Sequence, residues 1–172
     1  PEKRRYRKAD AKEEFEPRYL EFSAAQFKIC SEWEHFALLS LLNCEDFSGE
    51  APWIAKRLGI TESRARLVLS RLFQLGILEA SGDRIVRSKK SYRTPDDVAD
   101  VSLKKHHDET LDLARESLHR DAVEERDFTT LTMAIDPTKL GAAKEAIRKF
   151  QDELSDLLET GHRTEVYRLS AQ

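Results

Sequence analysis

The chain has 172 residues, room for one moderate domain or two small ones; 40% are hydrophobic and 35% charged, which allows a real core under a highly charged surface. No apolar run approaches membrane-spanning length and no secretory leader is visible, so the sequence predicts a cytoplasmic protein with no membrane partner. A net charge of −3 excludes a uniformly basic nucleic-acid binder, and the two cysteines, Cys30 and Cys44, lack metal-ligand spacing and form no disulfide framework.

The charge is unevenly distributed. Residues 56–93 hold ten Lys or Arg against three Asp or Glu, a charge of +7. Residues 94–172 hold eleven against eighteen, and residues 1–55 eight against eleven, giving −7 and −3. The basic excess therefore falls on one stretch, where a nucleic-acid footprint is to be sought.

Residues 1–22 read as a charged N-terminal arm, beginning Lys3-Arg4-Arg5-Tyr6-Arg7-Lys8. It is expected to be a solvated tail, with phosphate contact as the alternative. Ser23-Ala24-Ala25-Gln26 has capping-box spacing, and one helix is expected from there to about Leu42. Ile29, Trp33, Phe36, Ala37, Ser40 and Leu41 fall on its apolar side. His35 sits beside that surface with no ligand partner four residues away, which predicts a packed histidine.

Residues 52–87 are the organising stretch. Pro52 suits a first helical turn. Trp53, Ile54, Ala55 and Leu58 line one side of a short helix, and Gly59 ends it. Thr61 is a good N-cap for a second helix, whose core stripe is Ala65, Val68, Leu69 and Leu72. Gly76 stops that helix, and residues 77–80 and 84–88 can pair across Ser81-Gly82-Asp83. Helix, tight turn, helix and hairpin in this order predict a winged helix-turn-helix.

Beyond it, a helix is expected over residues 98–119, with Leu103, His107, Thr110, Leu111, Ala114 and Leu118 on one face. The adjacent His106 and His107 point apart on a helix and make no two-histidine metal site unaided. Residues 128–135 alternate and are rich in β-branched side chains, which predicts a strand. Asp136-Pro137 starts a helix carrying Leu140, Ala143, Ile147, Phe150, Leu154 and Leu157, and residues 166–170 read as a last strand. Two strands alone are rarely stable, so the β-α-β unit calls for more strands, from the wing region, from a partner subunit or from residues outside this sequence, and the second of these argues for a homodimer.

The expected fold class is therefore α+β, mainly helical, with a winged helix-turn-helix followed by a long helix and a β-α-β unit. Its expected parts are an arm over residues 1–22, the winged helix over 23–93 and a dimerisation or sensor domain over 94–172. No glycine-rich phosphate loop, G-x-S-x-G elbow or HExxH is present, so no enzyme, catalytic residue, metal site or cofactor is expected.

The chemistry that is expected is DNA contact. On the second helix Ser63, Arg64, Arg66, Arg71 and Gln74 lie off the core stripe. Arginine reads guanine edges, glutamine pairs with adenine, and Ser63 at a helix N-terminus suits a phosphate. Arg84 and Arg87 on the wing, with Lys89 and Lys90 beyond, can hold the backbone. The first reading is a transcriptional regulator. The alternative is an interaction or effector-sensing module that does not itself bind DNA.

Five segments support the first reading together: FSAAQFKICSEWEHFALLSLL, PWIAKRLGI followed by LSRLFQLGILE, HHDETLDLARESL, EERDFTTLTMAID and EVYRLSAQ. From Leu20 to the end they resemble the C-terminal region of a family of bacterial transcriptional regulators. Members of that family carry a repressor-type helix-turn-helix followed by a domain of unknown function. The stretch 124–135 and the Trp33-x-His35 spacing are the most specific parts. The resemblance implies a further helix-turn-helix upstream and a longer last strand, so the chain is expected to be a C-terminal portion of such a regulator. It implies no catalytic residues and no effector.

Overall fold

The computed structural model describes residues 20–21, 24–88, 92–93 and 101–171. The fold is mainly helical, with a small two-stranded antiparallel sheet. In chain order the elements are β1 (Leu20–Glu21), α1 (Ala24–Cys30), α2 (Trp33–Leu41), α3 (Ala51–Leu58), α4 (Glu62–Gln74), β2 (Leu78–Ser81), β3 (Arg84–Arg87), β4 (Tyr92–Arg93), α5 (Val101–Arg120) and α6 (Leu140–Leu158). Short 3-10 turns at Val123–Glu125 and Pro137–Lys139 link the last two helices.

The organising stretch folds as local stereochemistry dictates. Pro52 lies in the first turn of α3, and Gly59 closes that helix in the left-handed conformation at φ 66°. Ile60 N–H then reaches back to Ala55 O at 3.0 Å, the reversal that a left-handed cap permits. Thr61 caps α4 by accepting from Arg64 N–H at 3.2 Å. Ala65, Val68 and Leu72 bury the inner stripe of α4. β2 and β3 pair antiparallel from Leu78↔Arg87 to Ser81↔Arg84, turning at Gly82 with φ 61°. The loop before α3 approaches this hairpin closely: a Cβ on Gly49 would meet Ile85 Cδ1 at 2.5 Å.

One apolar cluster joins these pieces. Phe27, Cys30, Leu38, Leu39, Ile54, Ala65, Val68, Leu72, Ile77 and Leu78 are buried together. Cys30 and Cys44 are both buried and form no disulfide, and burial pushes the Cys30 thiol up to about 12, so it behaves as a small apolar side chain. His35 is fully buried and packed, donating from Nδ1 to Glu32 O at 3.1 Å.

Three expectations are corrected. The single helix expected over residues 23–42 is two, broken at Ser31 and Glu32. In an unbroken helix Ser31 O would accept from His35 N–H. Here His35 N–H turns to Glu32 O at 3.2 Å, and Ser31 O accepts instead from His106 Nδ1 at 2.7 Å. Ser23, the expected cap, lies outside the described residues.

The inward face of α5 is also rotated from the expected one. His106, not His107, is buried, with its ring 4.9 Å from Phe36 and 5.9 Å from Phe27. The pattern favoured His107, with Leu103 and Leu111 four residues to either side, but docking on α1 and α2 turned His106 inward instead.

The third correction concerns the β-α-β unit. Residues 128–135 and 162–171 are not strands, although the helix between them forms as expected. Alternation favours an extended chain, but a strand also needs a neighbouring backbone to pair with. Among the described residues neither segment forms a ladder; residues 162–171 make a single backbone hydrogen bond, Glu45 N–H to Arg163 O at 3.0 Å. β1 and β4 pair in parallel with each other, Leu20↔Tyr92 and Glu21↔Arg93, and so do not extend a sheet to either segment.

Candidate nucleic-acid interface

α4 is held by its buried stripe, which fixes the side that it turns outward. Ser63, Arg66, Leu67, Ser70, Phe73 and Gln74 are exposed over three turns. Ser63 Oγ lies 3.1 Å from the capping Thr61 Oγ1. Arg66 Nη2 meets Glu62 Oε2 at 2.8 Å in an exposed i,i+4 pair, a contact of small energy that a stronger anion can displace. Gln74 Nε2 donates to Ser70 Oγ at 3.3 Å. On the hairpin Arg84 is exposed, and Lys56 on α3 is exposed as well. Lys56 did not stand out in the sequence because it sits on the first helix, away from the outward stripe of the second.

Arg64 and Arg71 are placed differently. Both turn toward α2, with 27% and 30% of the side chain exposed. Arg64 Nε donates to Glu34 Oε1 at 2.9 Å and its Nη2 meets Glu32 Oε2 at 2.9 Å. Arg71 Nη1 meets the same Glu32 oxygen at 2.5 Å. Lys105 of α5 closes the group, 3.6 Å from both Glu32 Oε1 and Glu109 Oε1. Glu109 also accepts from Trp33 N–H at 3.2 Å, placing a carboxylate at the N-terminus of α2.

Burial works to raise the Glu32 carboxyl. The Arg64 hydrogen bond and the charges of Arg64, Arg71 and Lys105 outweigh it and hold Glu32 below the usual carboxylate range. The hydrogen bond to Glu34 raises Arg64 in turn. The two acids flanking Trp33, in an otherwise apolar helix, were the visible trace of this network.

Removing one member tests its role. Glu34 is buried, and among the described residues its Oε2 has no hydrogen-bond partner. Arg64→Ala strands the other oxygen too, so a loss of about 1–3 kcal/mol in stability is expected. Urea unfolding of the variant checks this; an unchanged midpoint would mean that the network is ornamental.

The other proposed contacts divide similarly. Arg87 donates from Nη2 to Leu39 O, tying the hairpin to α2. Lys89 and Lys90 lie outside the described residues. Arg57 reaches the chain's last segment, meeting Glu165 Oε1 at 3.3 Å and Thr164 O, with its guanidinium 5.4 Å from the Trp53 ring centre. The basic excess of the sequence is thus partly spent on internal acceptors, while Arg66, Arg84 and Lys56 face outward.

The last segment crosses a different side of the molecule. Arg163 O accepts from Glu45 N–H at 3.0 Å, and Arg168 donates to Thr110 Oγ1 at 3.1 Å and to Trp33 O at 3.5 Å. These contacts lie on the loop before α3, on α2 and on α5. The outer residues of α4 stay exposed beside them.

The described residues hold no group of three or more histidine, cysteine or acidic side chains able to bind a metal ion. Within them no helix is long and apolar enough to cross a membrane. The family described as a domain of unknown function, DUF4423, matches residues 17–172. No curated protein and no solved structure matches the chain.

Proposed function

The chain belongs to the DUF4423 family, and we propose that this member is a cytoplasmic transcriptional regulator that contacts DNA through a winged helix-turn-helix formed by α3, α4 and the β2–β3 hairpin. The observation that carries this reading is the exposed outer face of α4, which runs from Ser63 at the capped N-terminus through Arg66 and Ser70 to Gln74. A groove-reading helix needs such a polar face, held by a buried opposite stripe. In this reading Arg66 and Gln74 address base edges, Ser63 and the N-terminus of α4 take a phosphate, and Arg84 on the wing takes another. Arg64 and Arg71 set the pose of α4 against α2. The resemblance to regulators found in the sequence is consistent with this assignment, as is a dimer, which would present two copies of α4 to a two-fold site.

Fluorescence anisotropy on genomic DNA fragments tests the reading. Arg66→Ala and Gln74→Ala are expected to relax sequence preference, at about 1–3 kcal/mol for each lost bidentate contact. Arg84→Ala is expected to weaken all sequences alike and to reduce the salt slope by about one. Absence of binding even at low salt, where phosphate contacts are strongest, would sink the proposal.

A second reading, a protein-interaction or effector-sensing module, is favoured by one observation. Arg64 and Arg71, two of the strongest candidate base readers, are engaged with Glu32 and Glu34. On that reading the exposed Leu67 and Phe73 of α4 meet a protein surface, and their polar replacement leaves any DNA binding unchanged.

A further inference from the structure

A cleft of about 370 Å³ opens where α1, α4 and α5 meet. Its volume lies within the roughly 300–1,000 Å³ of small-molecule sites. Lys28 of α1, Arg71 of α4 and Lys105 of α5 line it, together with Ser31 and Glu32 from the break between α1 and α2. Three bases thus share the space with one acid, and a cleft of that sign concentrates anions.

Glu32 does not exhaust the donors around it. Its Oε2 takes one N–H of Arg71 at 2.5 Å, while its Oε1 stands 3.6 Å from Lys105 Nζ, an ion pair beyond hydrogen-bond length. A guanidinium and an ammonium each offer several N–H groups, so both bases keep donors to spare. Lys28 is exposed and has no hydrogen bond or ion pair among the described residues. Ser31 is an independent sign. It is only 5% exposed, and its carbonyl oxygen is taken by His106 Nδ1, yet its hydroxyl has no hydrogen-bond partner among the described residues. Buried hydroxyls are nearly always paired, so an unspent one bordering a cationic cleft marks a place where a ligand oxygen belongs. Ile29 and Val101 add exposed apolar surface to the same cleft, which an inorganic ion would leave unused.

We infer that this cleft binds a small organic anion, a phosphate or carboxylate group carried on a short apolar body. Lys28, Arg71 and Lys105 hold the charged group by charge-assisted hydrogen bonds, and Ser31 adds a neutral one. Ile29 and Val101 cover the apolar body. Because Arg71 also holds α4 to Glu32, the ligand sits directly behind the proposed DNA-contacting helix. The site stands whether or not α4 contacts DNA.

Titration of the full chain with butyl phosphate and with inorganic phosphate, followed by amide NMR at constant ionic strength, tests it. Saturable shifts are expected at residues 28–32 and 101–105, with butyl phosphate at least about threefold tighter because only it buries apolar surface. Lys28→Ala is expected to weaken both probes about tenfold and Ser31→Ala about threefold. Ser31→Ala keeps the carbonyl that His106 uses, and circular dichroism verifies that both variants remain folded. Lys149→Ala, an exposed lysine of α6, is expected to change nothing. An equal effect of Lys149→Ala, or shifts that grow without saturating, would reduce the signal to general screening and overturn the site. Absence of any shift at about 10 mM of either probe overturns it as well. So does a Lys28→Ala variant that loses DNA affinity while its phosphate titration is unchanged, since the cleft would then hold the DNA backbone. A saturable titration in a chain that binds no DNA supports the site and sinks only the DNA reading.

Discussion

Leu72→Ala is expected to cost about 2–5 kcal/mol of stability, the range for removing a fully buried leucine from a packed core. Leu72 has no exposed surface and sits where α4 meets the rest of the apolar cluster. The truncation removes apolar contact and leaves a cavity that close-packed neighbours only partly fill. A typical domain is stable by only about 5–15 kcal/mol, so this one change consumes a large fraction of the margin. Leu67, one turn away but 42% exposed, provides the control, because exposed substitutions usually stay within about 0.5 kcal/mol. Urea unfolding of both variants separates the two cases. A loss below about 1 kcal/mol for Leu72→Ala would mean that α4 is not seated as described.

The second large effect is acid lability. His35 and His106 are both buried, and burial lowers both below the ordinary histidine value. Each presents Nδ1 to a carbonyl oxygen, Glu32 O and Ser31 O respectively, so Nδ1 carries the proton and donates. On His35, Nε2 is then a buried lone pair with no hydrogen-bond partner among the described residues. Protonation would place a positive charge there. Because both values are lower in the folded chain than in the unfolded one, the unfolded chain binds more protons as pH falls below about 6.5.

The contribution of the two histidines is therefore complete above that pH and is lost as pH falls toward their folded values. The loss is at most about 1.4 kcal/mol per pH unit for each histidine. Glu32, also lowered, adds loss of the same sign at more acid pH, once it begins to protonate. Thermal unfolding followed from pH 7.5 to pH 5 is expected to show a falling midpoint. His35→Asn and His106→Asn retain a side-chain N–H near the Nδ1 position and lack the titrating ring, so each is expected to flatten the slope. A midpoint that rises on acidification would contradict the account.

Much of the helix, turn, helix and hairpin was legible from residue types alone. Gly59, Gly76 and Gly82 take positive φ, Thr61 caps α4, and Ala65, Val68 and Leu72 are its buried stripe. Of the candidate DNA-contacting residues, Ser63, Arg66, Gln74 and Arg84 are where the pattern put them, on exposed faces. Arg64 and Arg71 also lie off the core stripe, but position on a helix does not say what neighbouring helix stands beside it. The charge partition shows the same limit: it located the basic stretch and was blind to the internal acceptors that take up Arg57, Arg64, Arg71 and Arg87.

The strand expectation over residues 128–135 went further than alternation allows. A period of two specifies an extended backbone with two faces, and pairing is a property of two segments. By itself the sequence determined what acts within about four residues: caps, left-handed glycines and apolar stripes, all set by backbone sterics and helical geometry. The tertiary structure alone decided the break at Ser31, the choice of His106 over His107 and the inward turn of Arg64. Those depend on partners 75 and 30 residues away, His106 for Ser31 and Glu34 for Arg64, whose approach is set by how the helices dock.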